Sequence, residues 1–171
     1  LQEGASNLEV PIVVAPGLTE VERFADALEV QSRTEEKATG AVVVRFWGVR
    51  GSIPTPGPTT AFYGGNTSCV EVRTGGQTII LDAGSGLHPL GDSLVAEAAG
   101  SPLHLTILIS HTHWDHIQGL PFFIPAYNPK NHLRVVGFEG AAEGLQSILS
   151  SQMESPYFPV SMRQMPSNIV V

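Results

Sequence analysis

The sequence predicts an α/β fold of the α+β kind, in which a mixed sheet carries helices on one face. Three observations predict it. Strand patterns come first as a hairpin and then alternate with helical patterns. The composition is that of a globular chain, 42% hydrophobic and 15% charged. Eighteen glycines and 13 prolines break the chain into many turns and loops. At 171 residues it is long enough for one domain with its own core.

Residues 1–40 differ from the rest. Thr19-Glu20-Val21-Glu22 is a capping box that opens a helix, with Val21, Phe24, Ala25 and Leu28 on one stripe. A charged stretch from Arg33 to Lys37 then ends in Thr39-Gly40. This part is expected to be an N-terminal extension or a linker from an upstream domain, without chemistry of its own. Residues 41–47 form a short apolar strand. Residues 68–74 alternate Val70 and Val72 against Cys69, Glu71 and Arg73, and Gly75-Gly76 turns them back into residues 77–81 as a hairpin. Residues 87–99 read as a helix with Leu90, Leu94, Val95 and Ala98 on one face. The apolar run 103–110 is a buried strand, 133–138 is another, and 141–153 is an amphipathic helix built on Leu145, Ile148 and Leu149.

The strand 103–110 leads straight into Ser110-His111-Thr112-His113-Trp114-Asp115-His116. Three imidazoles and a carboxylate within six positions are hard to explain as core filling. Placed in a loop they can turn onto one point, and they are the ligand set that zinc, iron and manganese accept. His111 and His113, two apart, project to the same side of an extended segment and can hold one ion. Asp115 and His116 follow the turn and can serve a second.

This His-x-His-x-Asp-His pattern resembles the signature of the metallo-β-lactamase-fold hydrolases, and the resemblance runs from about residue 45 to 159. It also covers Phe46-Trp47-Gly48-Val49-Arg50-Gly51-Ser52, Tyr63-Gly64-Gly65-Asn66-Thr67-Ser68, Leu81-Asp82-Ala83-Gly84-Ser85-Gly86 and His116-Ile117-Gln118-Gly119-Leu120-Pro121. The Gly-x-Arg-Gly-Ser and Gly-Gly-Asn-Thr segments look like the phosphodiesterase branch, with its tRNA-3′-processing endonucleases, cyclic-nucleotide phosphodiesterases and phosphonate-pathway phosphodiesterases. The resemblance implies a four-layer αβ/βα sandwich, of which residues 41–171 would be the first half. It implies two divalent metal ions, Zn2+ first with Mn2+ or Fe2+ as alternatives, held by His111, His113, Asp115 and His116 and sharing a hydroxide. Asp115 would also be catalytic, orienting the nucleophile and relaying its proton, and Asp82 would support the ligands from behind; a plain turn aspartate is the other reading.

Such a site needs two further histidines and a bridging aspartate downstream. Only His132 follows His116, and no aspartate follows Asp115. The chain also begins Leu1-Gln2 and ends on the strand-like Ile169-Val170-Val171. It is therefore expected to be truncated at its C-terminus and inactive as an isolated fragment.

Other residues invite a role in binding. Asn66, Thr67 and Ser68 follow two glycines and could form an anion nest with side chains that donate to phosphate oxygens, or simply a turn, and Arg50 could meet a phosphate or be solvated. Trp114 is expected to pack under the metal loop. Residues 121–127 are expected in the core, with base stacking as the alternative. His104 reads as structural and His132 as a surface residue, while His88 is unassigned. The formal charge of −7 argues against a broad basic face, so stable polynucleotide binding is not expected and a small phosphodiester or cyclic-nucleotide-like substrate is. The single Cys69 excludes a disulfide framework and is expected to pack as an apolar residue. No stretch is long enough to span a bilayer, and a cytoplasmic protein, with a homodimer as an allowed assembly, is the expectation. Two competing functions remain: a thioester or lactam hydrolase of the same fold, and a non-catalytic metal- or nucleotide-binding sensor domain.

Overall fold

A computed structural model describes residues 12–14, 41–137 and 144–171. Its centre is a seven-stranded mixed sheet whose strands lie side by side in chain order: β1 (Ile12–Val14), β2 (Val43–Gly48), β3 (Cys69–Thr74), β4 (Gln77–Leu81), β5 (His104–Ile109), β6 (His132–Gly137) and β7 (Asn168–Val170). β2, β3 and β4 pair antiparallel, and every other neighbouring pair is parallel. The β3–β4 hairpin turns on Gly75 and Gly76, both at positive φ, as a two-residue turn between twisted strands requires. The predicted strands are present with their ends moved by a residue or two. The edge strand β1 was not foreseen. The helix expected over residues 19–28 lies outside the described residues.

Alternation divides the sheet cleanly. Cys69, Ile80, Leu105, Ile107, Ile109, Leu133 and Val135 point to one face and are buried. That face is covered by α1 (Leu87–Ala98) and α3 (Leu145–Ser151), which add Leu87, Leu90, Leu94 and Leu149 to one core cluster. The inner face of α1 is Leu87, Leu90, Gly91 and Leu94, not the stripe through Val95 and Ala98, because Gly91 lets the helix settle against the Phe123 ring and Pro125. Val95 is exposed as a result. Under the same helix, at the β2–β3 end, lies a polar cluster. Buried Glu71 accepts from Trp47 Nε1 at 3.0 Å and pairs with Arg73 and Arg45, and Arg73 reaches Glu97 of α1 at 2.6 Å.

The other face is open among the described residues. Register aligns Phe46, Val70, Leu81, Leu108 and Val136 in one row across five strands. Leu81, Leu108 and Val136 are exposed there at 38, 37 and 37%. No helix among the described residues is long and apolar enough to cross a membrane.

Candidate metal centre

Strand β5 ends at Ile109, and the chain then runs through Ser110–His113 into the single helical turn α2 (Trp114–Ile117). This change of direction gathers the imidazoles. The His111 ring lies 4.5 Å from that of His113 and 4.0 Å from that of His116, centroid to centroid. His116 Nε2 is 3.6 Å from Asp115 Oδ2.

Asp82, one residue beyond β4, organises the floor. It sits in the left-handed region at φ 62, a conformation that aspartate tolerates better than most residues. Its N–H donates to Leu108 O at 2.8 Å. Its carboxylate accepts from Ser110 N–H at 2.8 Å, Ser110 Oγ at 2.7 Å and Ser68 Oγ at 3.0 Å, and it faces His116 Nδ1 at 2.8 Å. Burial works to raise its pKa, but the two Ser110 donors, His116 and Ser68 outweigh that and hold the carboxyl below the usual aspartate range. An ionised carboxylate only accepts, so His116 carries its proton on Nδ1 and presents the Nε2 lone pair. The Ser110 hydroxyl spends its hydrogen on Asp82. Its 3.1 Å contact with His111 Nδ1 is therefore donated by the ring, which leaves His111 Nε2 free as well. In this hydrogen-bond arrangement both rings would present Nε2 as a metal ligand does.

Asp115 is tied from the opposite side. Ser52, itself left-handed at φ 73, donates its N–H to Asp115 Oδ2 at 2.7 Å. That bond is the main reason the Asp115 carboxyl stays below its ordinary range; slight burial opposes it, and the nearby His116 and His113 add to it. The donor set suits a divalent ion, but among the described residues no group of three or more His, Cys, Asp or Glu side chains closes on one point. A catalytic zinc takes three protein ligands, so the site as described falls short of a complete set.

Close backbone contact locks the motif segments together. A Cβ at Gly84 would lie 2.3 Å from Asp115 O, and one at Gly119 would lie 2.0 Å from Gly84 O. Thr67 is fully buried in this joint. Its N–H donates to Ser85 Oγ, and its hydroxyl accepts from Ser85 N–H at 2.8 Å and Gln118 Nε2 at 3.1 Å. Of the residues read as substrate contacts, Thr67 is thus a strut inside the protein. Asn66 is half-buried, accepting from Ser85 Oγ, and Arg50 is exposed.

Some other expectations change with the structure, and some hold. Trp114 does not pack under the loop: it begins α2 and is 69% exposed. The segment 121–127 divides, with Phe123, Pro125 and Ala126 in the core and Phe122 and Ile124 exposed. His104 and His132 stack on each other at 4.7 Å on the open face, and His88 stands beside Asp92 on α1. Cys69 is fully buried, and burial followed by Glu71 and Asp82 pushes its thiol far above the ordinary range, so it is no nucleophile. Ser68, read as a donor to a substrate phosphate, donates instead to Asp82. Sequence reasoning missed the donors Ser52 and Ser110; Ser110 adjoins the histidines, and the Ser52 contact depends on where separate loops meet.

Residues 62–155 match the model of the metallo-beta-lactamase superfamily. Two ribonuclease Z proteins are similar to the chain. That of Pyrococcus abyssi is 31% identical over 131 residues, 73% of this chain and 38% of its own length. That of Pyrococcus horikoshii is 30% identical over 127 residues, 72% of this chain and 38% of its own. The chain thus spans about two fifths of the length of these relatives. A Thermotoga maritima crystal structure provisionally assigned as a metallo-beta-lactamase shares 16% identity, with a TM-score of 0.38, over 76% of this chain and 58% of that one. So loose a superposition carries no argument.

Proposed function

The chain belongs to the metallo-beta-lactamase superfamily, and on that premise we propose that it works as a metal-dependent phosphodiesterase acting on a nucleotidyl phosphodiester. The observation that carries the reading is the joint of Asp82, Ser110, His111 and His116, in which two imidazoles are held with Nε2 free beside the His113 ring and the Asp115 carboxylate. His111, His113, Asp115 and His116 would hold the metal, with zinc favoured by the nitrogen-rich set and Mn2+ or Fe2+ as alternatives. Divalent ions bound there supply Lewis-acid neutralisation of a phosphodiester's charge. The remaining work falls to the chain. Asp82 keeps His116 in one tautomer and orientation. Ser52 holds Asp115 ionised and aimed, so that Asp115 can orient the attacking group and receive its proton. Exposed Arg50, two residues from Ser52, supplies a fixed positive charge for a phosphate oxygen.

The missing ligands and the open sheet face support a second proposal, that a further layer of the full protein covers the Leu81–Leu108–Val136 row and completes the metal set. The short span relative to the ribonuclease Z relatives agrees with it. Those relatives' name also favours a second reading for the substrate, a folded RNA. Against it stand the charge of −7 and the absence of a Lys/Arg cluster in the sequence. The test is metal content of the full-length protein together with turnover of an aryl phosphodiester, a cyclic nucleotide, a thioester, a cephalosporin and a tRNA precursor, in wild type and His113→Ala. Phosphodiesters should lead, and His113→Ala should lose both metal and turnover. Dominant thioester or lactam turnover, or undiminished metal and activity in His113→Ala, would overturn the proposal.

A further inference from the structure

We propose that the cleft between Arg50 and the Phe62–Tyr63 pair is a stacking subsite for one nucleobase of the substrate. The proposal rests on the phosphodiesterase reading and deepens it. Phe62 and Tyr63 are 80 and 62% exposed, two adjacent large aromatics that the fold leaves in water. Their rings meet edge to face at 4.6 Å and 84°, an arrangement that keeps a ring face open.

The pair does not hang on a loose loop. Thr55 N–H donates to Gly65 O at 2.9 Å, Arg50 N–H to Asn66 O at 3.0 Å, and the Thr60 hydroxyl to Thr55 O at 2.7 Å. Pro54, Pro56 and Pro58 stiffen what lies between. Val49, Arg50, Thr59, Thr60, Phe62 and Tyr63 enclose an open pocket of about 230 Å³. That is below the roughly 300–1,000 Å³ of sites that swallow a whole ligand, and it suits a single ring system.

Its position relative to the histidines gives it meaning. Ser52, on the same loop, touches Asp115 directly, and Arg50 bridges to Thr67, which holds Gln118 just after the metal loop. Arg50 lines the same cleft as the two aromatics, so the cleft offers a stacking face and a positive charge together. Every nucleobase presents a π-face, so such a platform is tolerant of base identity. It suits a nucleotide whose base sits in this cleft and whose phosphodiester points toward the Ser52–Asp115 side of the loop.

The experiment uses full-length protein stripped of metal and titrated with 2-aminopurine riboside 5′-monophosphate, whose fluorescence is quenched on stacking. Wild type should quench it saturably. Phe62→Ala/Tyr63→Ala should bind about 5–150-fold more weakly, the worth of one stacked base, and Phe62→Trp should keep the affinity. Circular dichroism checks the fold, which two exposed side chains do not support. No quenching by wild type, or equal affinity in the double variant, would overturn the subsite; so would self-association that the double variant abolishes while nucleotide binding is untouched. Because no metal is present, loss of the phosphodiesterase reading is detected separately, as saturable base binding by a protein that turns over no diester.

Discussion

The two faces of the sheet are made from the same strands and nearly the same residue types, yet they have different fates. Ile80, Ile107 and Val135 are 0, 0 and 2% exposed, while their chain neighbours Leu81, Leu108 and Val136 remain more than a third exposed. Strand pattern alone does not distinguish them, since a run such as Leu105-Thr106-Ile107-Leu108-Ile109 is apolar on both sides. What differs is the cover: α1 and α3 supply one layer, and nothing described supplies the other. A strand buried on both faces is written as a continuous apolar run. The row Phe46, Val70, Leu81, Leu108 and Val136 follows that pattern, while His104, Thr106, His132 and Arg134 on the same face do not.

The most forceful way to break this comparison is to truncate one residue on each side. In the 171-residue chain, Ile107→Ala should cost about 2–5 kcal/mol in chemical denaturation. Leu108→Ala should cost under about 1 kcal/mol, because water already reaches that side chain. Within the full protein the second value should rise toward the first. Equal costs in both forms would show that the open face stays open.

The faces meet at the C-terminal edge of β4 and β5, where Asp82 ties Ser68, Ser110 and His116 together. Asp82→Asn keeps the shape but lets the side chain donate as well as accept, and His116 loses the partner that fixes its tautomer. Metal affinity in the full protein should fall about 10–100-fold by competitive chelation, with little change in melting temperature. An unchanged affinity would leave Asp82 as a turn residue with no link to the metal.

The smallest effect belongs to the polar end of the covered face. Burial tends to raise the pKa of Glu97, but hydrogen bonds from Arg73 and Ser93 and the charges of Arg73 and Arg45 lower it on balance. Its contribution to stability is thus complete above the ordinary glutamate value and lost as pH falls through the depressed folded one. Glu97→Gln should flatten the acid side of the stability profile below about pH 5 by a few tenths of a kcal/mol, since Glu97 is 42% exposed and its pairs are screened. An unaltered profile would remove the pair from the stability of that face.

Much of the fold and the centre of the site could be read beforehand because their signals are local. Gly75-Gly76 between two alternating runs defines a hairpin, and four metal-type side chains at a strand end mark a candidate ligand loop. What escaped depends on distant partners. Ile12–Val14, in the run Pro11-Ile12-Val13-Val14-Ala15-Pro16, is too short and too proline-bounded to announce a strand, and it becomes one only against β2. Thr67 looks like a surface donor until Ser85 and Gln118 close over it. Trp114 looks like an anchor until the turn of α2 carries it outward. The pairing of Ser52 with Asp115 spans 63 positions, and no pattern along the chain encodes it.

Sheet order identical to chain order has a consequence for assembly. Each strand finds its template in the one made just before it, so the sheet can be laid down from one edge as the polypeptide emerges. Ser68, Asp82 and the loop that begins at Ser110 belong to consecutive strands. The hydrogen-bonded floor beneath the histidines can therefore set while β6 and β7 are still unmade, and the histidines would enter the later steps of folding already gathered above it.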